Sequence, residues 1–255
     1  MRNSKKKLLN VYDLREYVAI DLETTGLDPS SEKIIEISAV KFIDGESEAI
    51  FSYLLDPKRA IPPFIEDLTG ITNQMVSGKP DFSDIMHDFL NFIGNYPIVG
   101  HNVKFDINFI KFHSNGLIDF SNNRIYDTYL LSKIVLFSNS EFNLEAITEY
   151  YEFPIGEAHR ATDDSINSGK ILIKLLEDFL DMDISILDRI SKLFSDRFIP
   201  NNYAIDSAYK YAKNRDNNES VKMKIDFRPP FIRYHKNPDI KSFSFEDIIG
   251  DNGTL

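Results

Sequence analysis

Hydrophobic positions over residues 1–180 alternate between strand-like and helix-like spacing. Short apolar runs bounded by turn residues predict strands, and the first three follow one another directly, as in a meander. The predicted strands are 17–23, 33–45, 46–57, 96–100 and about 124–128. Apolar residues at helical spacing predict the helices between and after these strands. The predicted helices are a short one from Pro62 to Gly70, then 81–94, 103–114, 127–137, 142–151 and 161–180.

A strand meander followed by strands that alternate with helices predicts an α/β fold, a mixed sheet flanked by helices. Residues 181–255 have a different pattern. Helical spacing at 183–196 and 203–214 is followed by an Asn-rich break and then by a strand-like run at 221–235 with a Pro-Pro turn. We therefore predict a domain over 1–180 and a small C-terminal extension over 181–255.

Composition limits the classes of protein that fit. Hydrophobic residues make up 42% of the 255 residues, which is enough for a core and argues against disorder throughout. The chain has no cysteine, which excludes disulfides and thiolate zinc sites. No apolar stretch approaches the ~20 residues that span a bilayer, and the basic start lacks an apolar signal core. We expect a soluble, cytoplasmic protein.

The net charge of −11 is unevenly distributed along the chain. Residues 1–180 carry 17 basic and 28 acidic residues, whereas 197–241 carries ten basic and five acidic residues with aromatic residues interleaved. One hypothesis is that this basic part of the extension lengthens a nucleic-acid path. The alternatives are a small unit that packs on the domain with a solvated basic face, and a docking element for a polymerase or helicase.

Two acidic residues, Asp21 and Glu23, end the first predicted strand just before a Gly-containing turn. Side chains two positions apart in a strand lie on the same face, so both carboxylates point in one direction. A solvated strand end would explain this pair, because the spacing is common in a chain with 40 acidic residues. Half of a metal site is the other interpretation.

Asp106 lies in the first turn of the predicted helix that follows the strand 96–100. An acid there favours the helix dipole, and Asn102 is placed to cap the helix. Asp106 also shares a helical stripe with Phe109 and Ile110, three and four positions later. Its carboxylate is therefore predicted to point toward the sheet.

Helical periodicity separates the adjacent residues Asp163 and Asp164. Asp164 shares its stripe with apolar residues that would pack on a core, whereas Asp163 shares a stripe with polar residues. The apolar residues are Ile171, Leu175 and Phe179. We predict that Asp163 is a solvated first-turn charge and that Asp164 is an acid on a buried face.

Buried carboxylates that lack a matching buried Lys or Arg repel one another and are costly to desolvate. Hard divalent cations resolve this conflict, and two such ions are a common device for phosphoryl hydrolysis. We therefore predict a site for two divalent metal ions, Mg²⁺ or Mn²⁺, formed by Asp21, Glu23, Asp106 and Asp164. His159 precedes Asp164 by five residues and is predicted to be a general base, with a purely structural histidine as the alternative.

Three motifs in this order resemble those of the DEDD 3′–5′ exonucleases. They are Asp21-x-Glu23, His101-Asn102-x-x-Phe105-Asp106 and His159-x-x-x-x-Asp164. His159 in the third motif resembles the histidine variant of this family, which includes the proofreading exonucleases of bacterial replicative polymerases. The stretches IDLETTGLDP, KIIEISAV, LTGITNQMV and AHRATDDS are similar to that family, and the resemblance covers about residues 15–180.

This resemblance implies an RNase H-like fold and the removal of nucleoside 5′-monophosphates from a 3′ end. It implies that Asp21 bridges both metal ions, that Glu23 and Asp164 help to hold one ion, and that Asp106 serves the other. His159 would be the general base. The positions implied to contact the terminal nucleotides are Thr24, Thr25, Gly26, Leu27, Asn102 and Phe105. Ordinary core packing is the alternative for Leu27 and Phe105, and helix capping is the alternative for Asn102.

The sequence therefore predicts a metal-dependent 3′–5′ exonuclease that acts on DNA 3′ ends, single-stranded or frayed, in replication or repair. An exoribonuclease of the same family is an alternative, because contacts to the 2′-hydroxyl decide between the two substrates. A catalytically silent nucleic-acid-binding subunit and a purely structural ion site are others. The expected partners are DNA and a polymerase or helicase, and no membrane.

Overall fold

The computed structural model describes residues 2–154, 160–194 and 200–218. The strands in this part of the chain are β1 (Glu16–Thr24), β2 (Ile34–Ile43), β3 (Glu46–Leu54), β4 (Ile98–Gly100) and β5 (Ile125–Asp127). The helices are α1 (Arg2–Tyr12), α2 (Pro63–Thr69), α3 (Asn73–Val76), α4 (Phe82–Ile93), α5 (Lys104–His113), α6 (Thr128–Val135), α7 (Leu144–Tyr150), α8 (Ala161–Leu180), α9 (Ile184–Phe194) and α10 (Asn202–Asn218).

The strands form one mixed sheet in the order β3-β2-β1-β4-β5. β1, β2 and β3 pair antiparallel, which confirms the predicted meander, whereas β4 pairs parallel with β1 and β5 parallel with β4. In the register of β1 and β2, Asp21 lies opposite Ser38 and Glu23 lies opposite Glu36. The carboxyl ends of the parallel strands β1, β4 and β5 therefore meet at one edge of the sheet.

Strand β1 separates two hydrophobic cores because its side chains alternate between the two faces of the sheet. Tyr17 and Ala19 belong to the core that contains α8, whereas Val18 and Ile20 belong to the core under α4 and α5. The alternation continues to Asp21, two positions after Ala19. The acidic end of β1 therefore lies on the face that α8 covers.

Helix α8 lies very close to the sheet, and a glycine makes this possible. The Tyr17 hydroxyl donates a hydrogen bond to the carbonyl of Gly169 at 2.9 Å. A Cβ atom at Gly169 would lie 2.3 Å from the ring of Phe42, so a side chain there would push the helix away. This contact fixes the depth of α8, whose first turn lies beside the end of β1.

Three features of the fold differ from the predicted pattern or extend it. The basic N-terminal segment forms α1 and buries Leu8, Leu9 and Tyr12 at helical spacing, although the sequence pattern did not predict this helix. The short helix α3 was not predicted either. Residues of α9 and α10 contribute Leu187, Ala204, Ile205, Ala208 and Ala212 to the same core as α8.

The described part of the C-terminal extension therefore packs on the domain, and the boundary near residue 181 stays a prediction. The predicted hairpin at 221–235 lies outside the described residues. Among the helices that are described, none is long and apolar enough to cross a membrane.

Candidate active site

Three carboxylates converge where the end of β1 meets the start of α8. Asp21, Glu23 and Asp164 each place an oxygen atom within 4.8 Å of the others, and all three side chains are half-buried. Asp163 is outside this group, although it is half-buried and not fully solvated as predicted. The turn of α8 that carries Asp164 is helical from its first residues, because the backbone amide of Asp164 donates to the carbonyl of Arg160 at 3.1 Å. The structure thus brings Asp164, and not its neighbour, to the carboxylates of β1.

Asp106 lies in the first turn of α5. Only 3% of its surface is exposed, as its stripe with the buried residues Phe109 and Ile110 predicted. Burial raises the pKa of Asp106 well above its ordinary value, and a hydrogen bond from the backbone amide of Leu22 opposes that rise. This bond places Asp106 against β1, one residue from Asp21.

Burial and mutual repulsion raise the pKa values of the acids on β1. For Asp21, burial is the largest cause, followed by the charges of Asp106, Asp164 and Glu23. For Glu23, burial and then the charge of Asp164 raise the pKa to about 8, and Arg160 opposes the rise. A cluster of hard oxygen ligands whose ionised forms repel one another fits a divalent cation such as Mg²⁺ or Mn²⁺, because the ion compensates the charge.

Glu36 is a site residue that our sequence reasoning missed. Its side chain is 3% exposed and pairs with the Arg160 guanidinium at 3.1 Å, and it also accepts the backbone amide of Ala161 at 3.1 Å. Glu36 thus caps the start of α8 directly beside Glu23, its partner across the strands. A half-buried cation is therefore present, which corrects the expectation that the buried acids have no basic partner. The sequence feature that could have revealed Glu36 is an acidic residue inside the apolar run IIEIS.

Replacing Glu36 by alanine is expected to destabilise the protein by about 2 kcal/mol, because the change removes a buried carboxylate that pairs with Arg160 and accepts the Ala161 amide. The control is Glu46→Ala, which breaks the exposed ion pair with Lys5 and is expected to cost under about 1 kcal/mol. Urea unfolding of both variants measures the difference. Equal unfolding free energies for the two variants would contradict the anchoring role of Glu36.

The turn from Thr24 to Leu27 follows β1 directly. Thr24 donates from its hydroxyl to the carbonyl of Gly26 at 2.6 Å, and the buried Thr25 hydroxyl donates to Glu32 at 2.5 Å. A Cβ atom at Gly26 would lie 2.8 Å from the Glu32 side chain, so the tight turn favours glycine. Leu27 is 85% exposed, which excludes the core-packing alternative for this residue.

The loop before α5 holds the other two predicted contact residues. Asn102 is exposed with φ of 62°, and the first residue before the helix is Val103, which makes no side-chain capping bond. The prediction that Asn102 caps α5 is therefore wrong, because a left-handed backbone turns this residue away from the capping position. Phe105 is half-buried, with its ring centroid 4.8 Å from that of Phe109.

Asp127, at the end of β5, is a second site residue that the sequence reasoning missed. It is 2% exposed, and its Oδ1 accepts the backbone amides of Asn102 and Leu130, both at 3.1 Å. Asp127 therefore caps α6 and also holds the loop that leads to α5. The sequence feature that could have revealed Asp127 is an acidic residue at the end of a short apolar strand, in the run RIYDT.

Some predicted residues lie outside the described part of the chain. His159 is one of them, so its role as a general base stays a prediction. Of the basic residues predicted to extend a nucleic-acid path, Lys210 and Lys213 are exposed on α10. The basic residues from 219 to 255 are not described.

Comparison with known proteins connects this geometry to a family. Residues 18–172 match the family model described as "Exonuclease". The chain is 37% identical over 173 residues to a DNA polymerase III PolC-type protein of Latilactobacillus sakei, covering 65% of this chain but 12% of that protein. It is 35% identical over 181 residues to the DNA polymerase III subunit epsilon of Aquifex aeolicus, covering 70% of this chain and 90% of the relative.

A solved structure titled "Exonuclease X in complex with 5' overhanging duplex DNA" is similar at 26% identity with a TM-score of 0.50. It aligns with 63% of this chain and 91% of that chain, so the mixed sheet and its helices have the predicted RNase H-like architecture. The family model covers well over half of the chain. The protein therefore belongs to the exonuclease family, as its three motifs predicted.

Proposed function

We propose that this protein is a metal-dependent 3′–5′ exonuclease that removes nucleoside 5′-monophosphates from DNA 3′ ends. The observation that carries the proposal is the convergence of Asp21, Glu23 and Asp164, with Asp106 against the same strand, on an exonuclease-family fold. Four acids from three separate elements meet at one edge of the sheet. A purely structural arrangement would not require so many repelling charges in one place.

The proposed cofactors are two divalent ions, Mg²⁺ or Mn²⁺. Asp21, whose charge interacts with those of Asp106, Asp164 and Glu23, would be shared by both ions, with Glu23 and Asp164 holding one ion and Asp106 serving the other. When bound, such ions activate water and neutralise the charge of the phosphoryl group. The protein holds the carboxylates in a fixed geometry, because β1 is a strand of the sheet and α5 and α8 pack against the sheet.

The remaining steps fall to side chains around the carboxylates. His159 is proposed to accept the proton of the attacking water, because histidine is the side chain that most often acts as a general base. Thr24, Thr25 and Gly26 are proposed to contact the terminal nucleotide. Leu27 is proposed to pack on a terminal base, because its apolar side chain projects into solvent beside the site.

DNA is the proposed substrate for two reasons. Two relatives are named as DNA polymerase III proteins, and the similar solved structure contains duplex DNA with a 5′ overhang, which leaves a recessed 3′ end. These names also support a role in replication or repair beside a polymerase, whereas a helicase partner and a cytoplasmic location stay predictions. The chain matches only a small part of the PolC-type relative, so the partner is a proposal for this chain alone.

Digestion of a 5′-labelled single-stranded DNA oligonucleotide tests the proposal, with Mg²⁺, with Mn²⁺ and with EDTA. We expect a ladder that shortens from the 3′ end with either metal and no products in EDTA, because the acids need the ions to act. An RNA oligonucleotide of the same sequence serves as the matched substrate. Faster RNA digestion would show that RNA and not DNA is the substrate. If both oligonucleotides stayed intact, the alternative of a catalytically silent nucleic-acid-binding subunit would replace the enzyme.

A further inference from the structure

Asn201, in the segment before α10, forms hydrogen bonds with β5, the edge strand of the sheet. Its side chain accepts the backbone amide of Asp127 through Oδ1 and donates from Nδ2 to the Asp127 carbonyl, both at 2.9 Å. Its own backbone amide donates to the carbonyl of Ile125 at 3.1 Å. Asn201 is 2% exposed and has a φ of 74°, a left-handed conformation that asparagine tolerates better than most residues. Three hydrogen bonds thus pair this single residue with the edge strand.

The strand end that Asn201 holds also supports the active-site loop. The Asp127 carboxylate accepts the backbone amide of Asn102 at 3.1 Å, and the Asn102 carbonyl accepts the amide of Phe105 at 3.0 Å. Asp106 follows directly and lies against β1. A continuous set of hydrogen bonds therefore connects Asn201 to the first turn of α5.

We propose that Asn201 is a positioning residue for the nuclease reaction. It fixes the end of β5, so that Asp127 holds the loop that presents Phe105 and Asp106 to the carboxylates of β1. The inference rests on the proposed exonuclease function. It assigns part of the C-terminal extension, which lies beyond the family match at 18–172, to the working active site.

The competing explanation is that Asn201 only stabilises the fold by covering an edge strand. The two explanations differ in the kinetic constants. A clamp that only adds stability lowers the melting temperature and leaves the turnover of the folded enzyme unchanged. A clamp that positions Asp106 lowers kcat in fully folded protein, while KM for the oligonucleotide stays nearly constant, because most of the nucleic-acid contacts remain.

Two variants separate backbone strain from the loss of the side-chain bonds. Asn201→Gly retains freedom for the left-handed backbone but removes both side-chain bonds, and Asn201→Asp keeps the size and one acceptor but sets an oxygen against the Asp127 carbonyl. The control is Asn115→Gly, because Asn115 is also left-handed, with φ of 51°, but is exposed at the far end of α5. All are assayed as full-length chains at a temperature where circular dichroism shows them folded.

We expect both Asn201 variants to lower kcat about tenfold with KM within about twofold of the wild type, and the control to leave both constants unchanged. Wild-type turnover in both folded variants would overturn this inference and leave the proposed function intact. An inactive wild type would overturn the proposed function and this inference together.

Hydrogen exchange provides a readout that does not depend on activity. We expect faster amide exchange in peptides that cover residues 101–106 in both Asn201 variants, because the loop loses its support, and no change in the control. Unchanged exchange across this loop would overturn the coupling between Asn201 and the active site, even if a variant proved too unstable for kinetics.

Discussion

Asp164→Asn is expected to abolish 3′-end digestion almost completely, whereas Asp163→Asn is expected to retain nearly full activity. Only Asp164 lies within 4.8 Å of the acids on β1, and asparagine keeps its size but not its charge. Loss of one metal-holding carboxylate removes several kcal/mol of transition-state stabilisation, which corresponds to a fall in kcat of about 10³-fold. Asp163→Asn should stay within about threefold of the wild type, because Asp163 is outside the group of carboxylates that could hold a metal ion.

The measurement is the initial rate on a 5′-labelled single-stranded DNA oligonucleotide with saturating Mg²⁺. Asp163→Asn is the matched control, because it makes the same chemical change one residue away in the same helical turn. Melting temperatures of both variants show whether each is folded. An inactive but folded Asp163→Asn together with an active Asp164→Asn would reverse the assignment of the two aspartates.

The free energy of unfolding of the metal-free protein is expected to fall as pH rises from 6.5 to 8. The pKa of Glu23 is raised to about 8 in the folded state from 4.5, so between these values the folded state holds a proton that the unfolded state has lost. Each additional pH unit then favours unfolding by about 1.4 kcal/mol for every such carboxyl. The pKa values of Asp21 and Asp106 are raised in the same direction, chiefly by burial.

Histidines oppose this slope only at the lower end of the pH window. Burial lowers the pKa of His101 to about 4 from 6.5, and it also lowers the pKa of His113, so their contribution to stability is lost as pH falls. At pH 6.5 about half of the unfolded-state imidazole is still protonated, and this opposing effect fades toward pH 8. A fall in stability between pH 6.5 and 8 therefore reports the carboxyl cluster.

Metal ions should remove this pH dependence. Saturating Mg²⁺ or Mn²⁺ binds the ionised carboxylates of the folded state and stabilises it by about 4 kcal/mol at 1,000 times the Kd. Urea unfolding in EDTA and in Mg²⁺ at pH 6.5, 7.2 and 8 measures both effects. Glu23→Gln is the control variant and should show a shallower slope in EDTA. A metal-free protein whose stability rises across this window would contradict the raised pKa values.

Local spacing was sufficient to predict much of the site. The i, i+2 spacing of a strand placed Asp21 and Glu23 on one face, and a helical stripe of 3.6 residues per turn distinguished Asp164 from Asp163. The same stripe predicted that Asp106 is buried. These inferences succeeded because each depends only on the geometry of one regular element, which repeats without reference to the rest of the chain.

Long-range partners could not be inferred in this way. Glu36 and Arg160 are 124 residues apart, and Asp127 and Asn201 are 74 residues apart, so neither pairing follows from local periodicity. The capping role predicted for Asn102 was wrong for the same reason: the carboxylate of Asp127, on another strand, holds its backbone in a left-handed turn.

The sequence by itself determined the order of the strands and of the helices other than α1 and α3, the orientation of the four predicted acids on their own elements and the membership of the exonuclease family. The tertiary structure decided how deeply α8 lies on the sheet, which basic residue compensates the acids and how the C-terminal helices support the site. The physical reason is that periodicity records the face of an element that is buried. Only packing decides which distant residue meets that face.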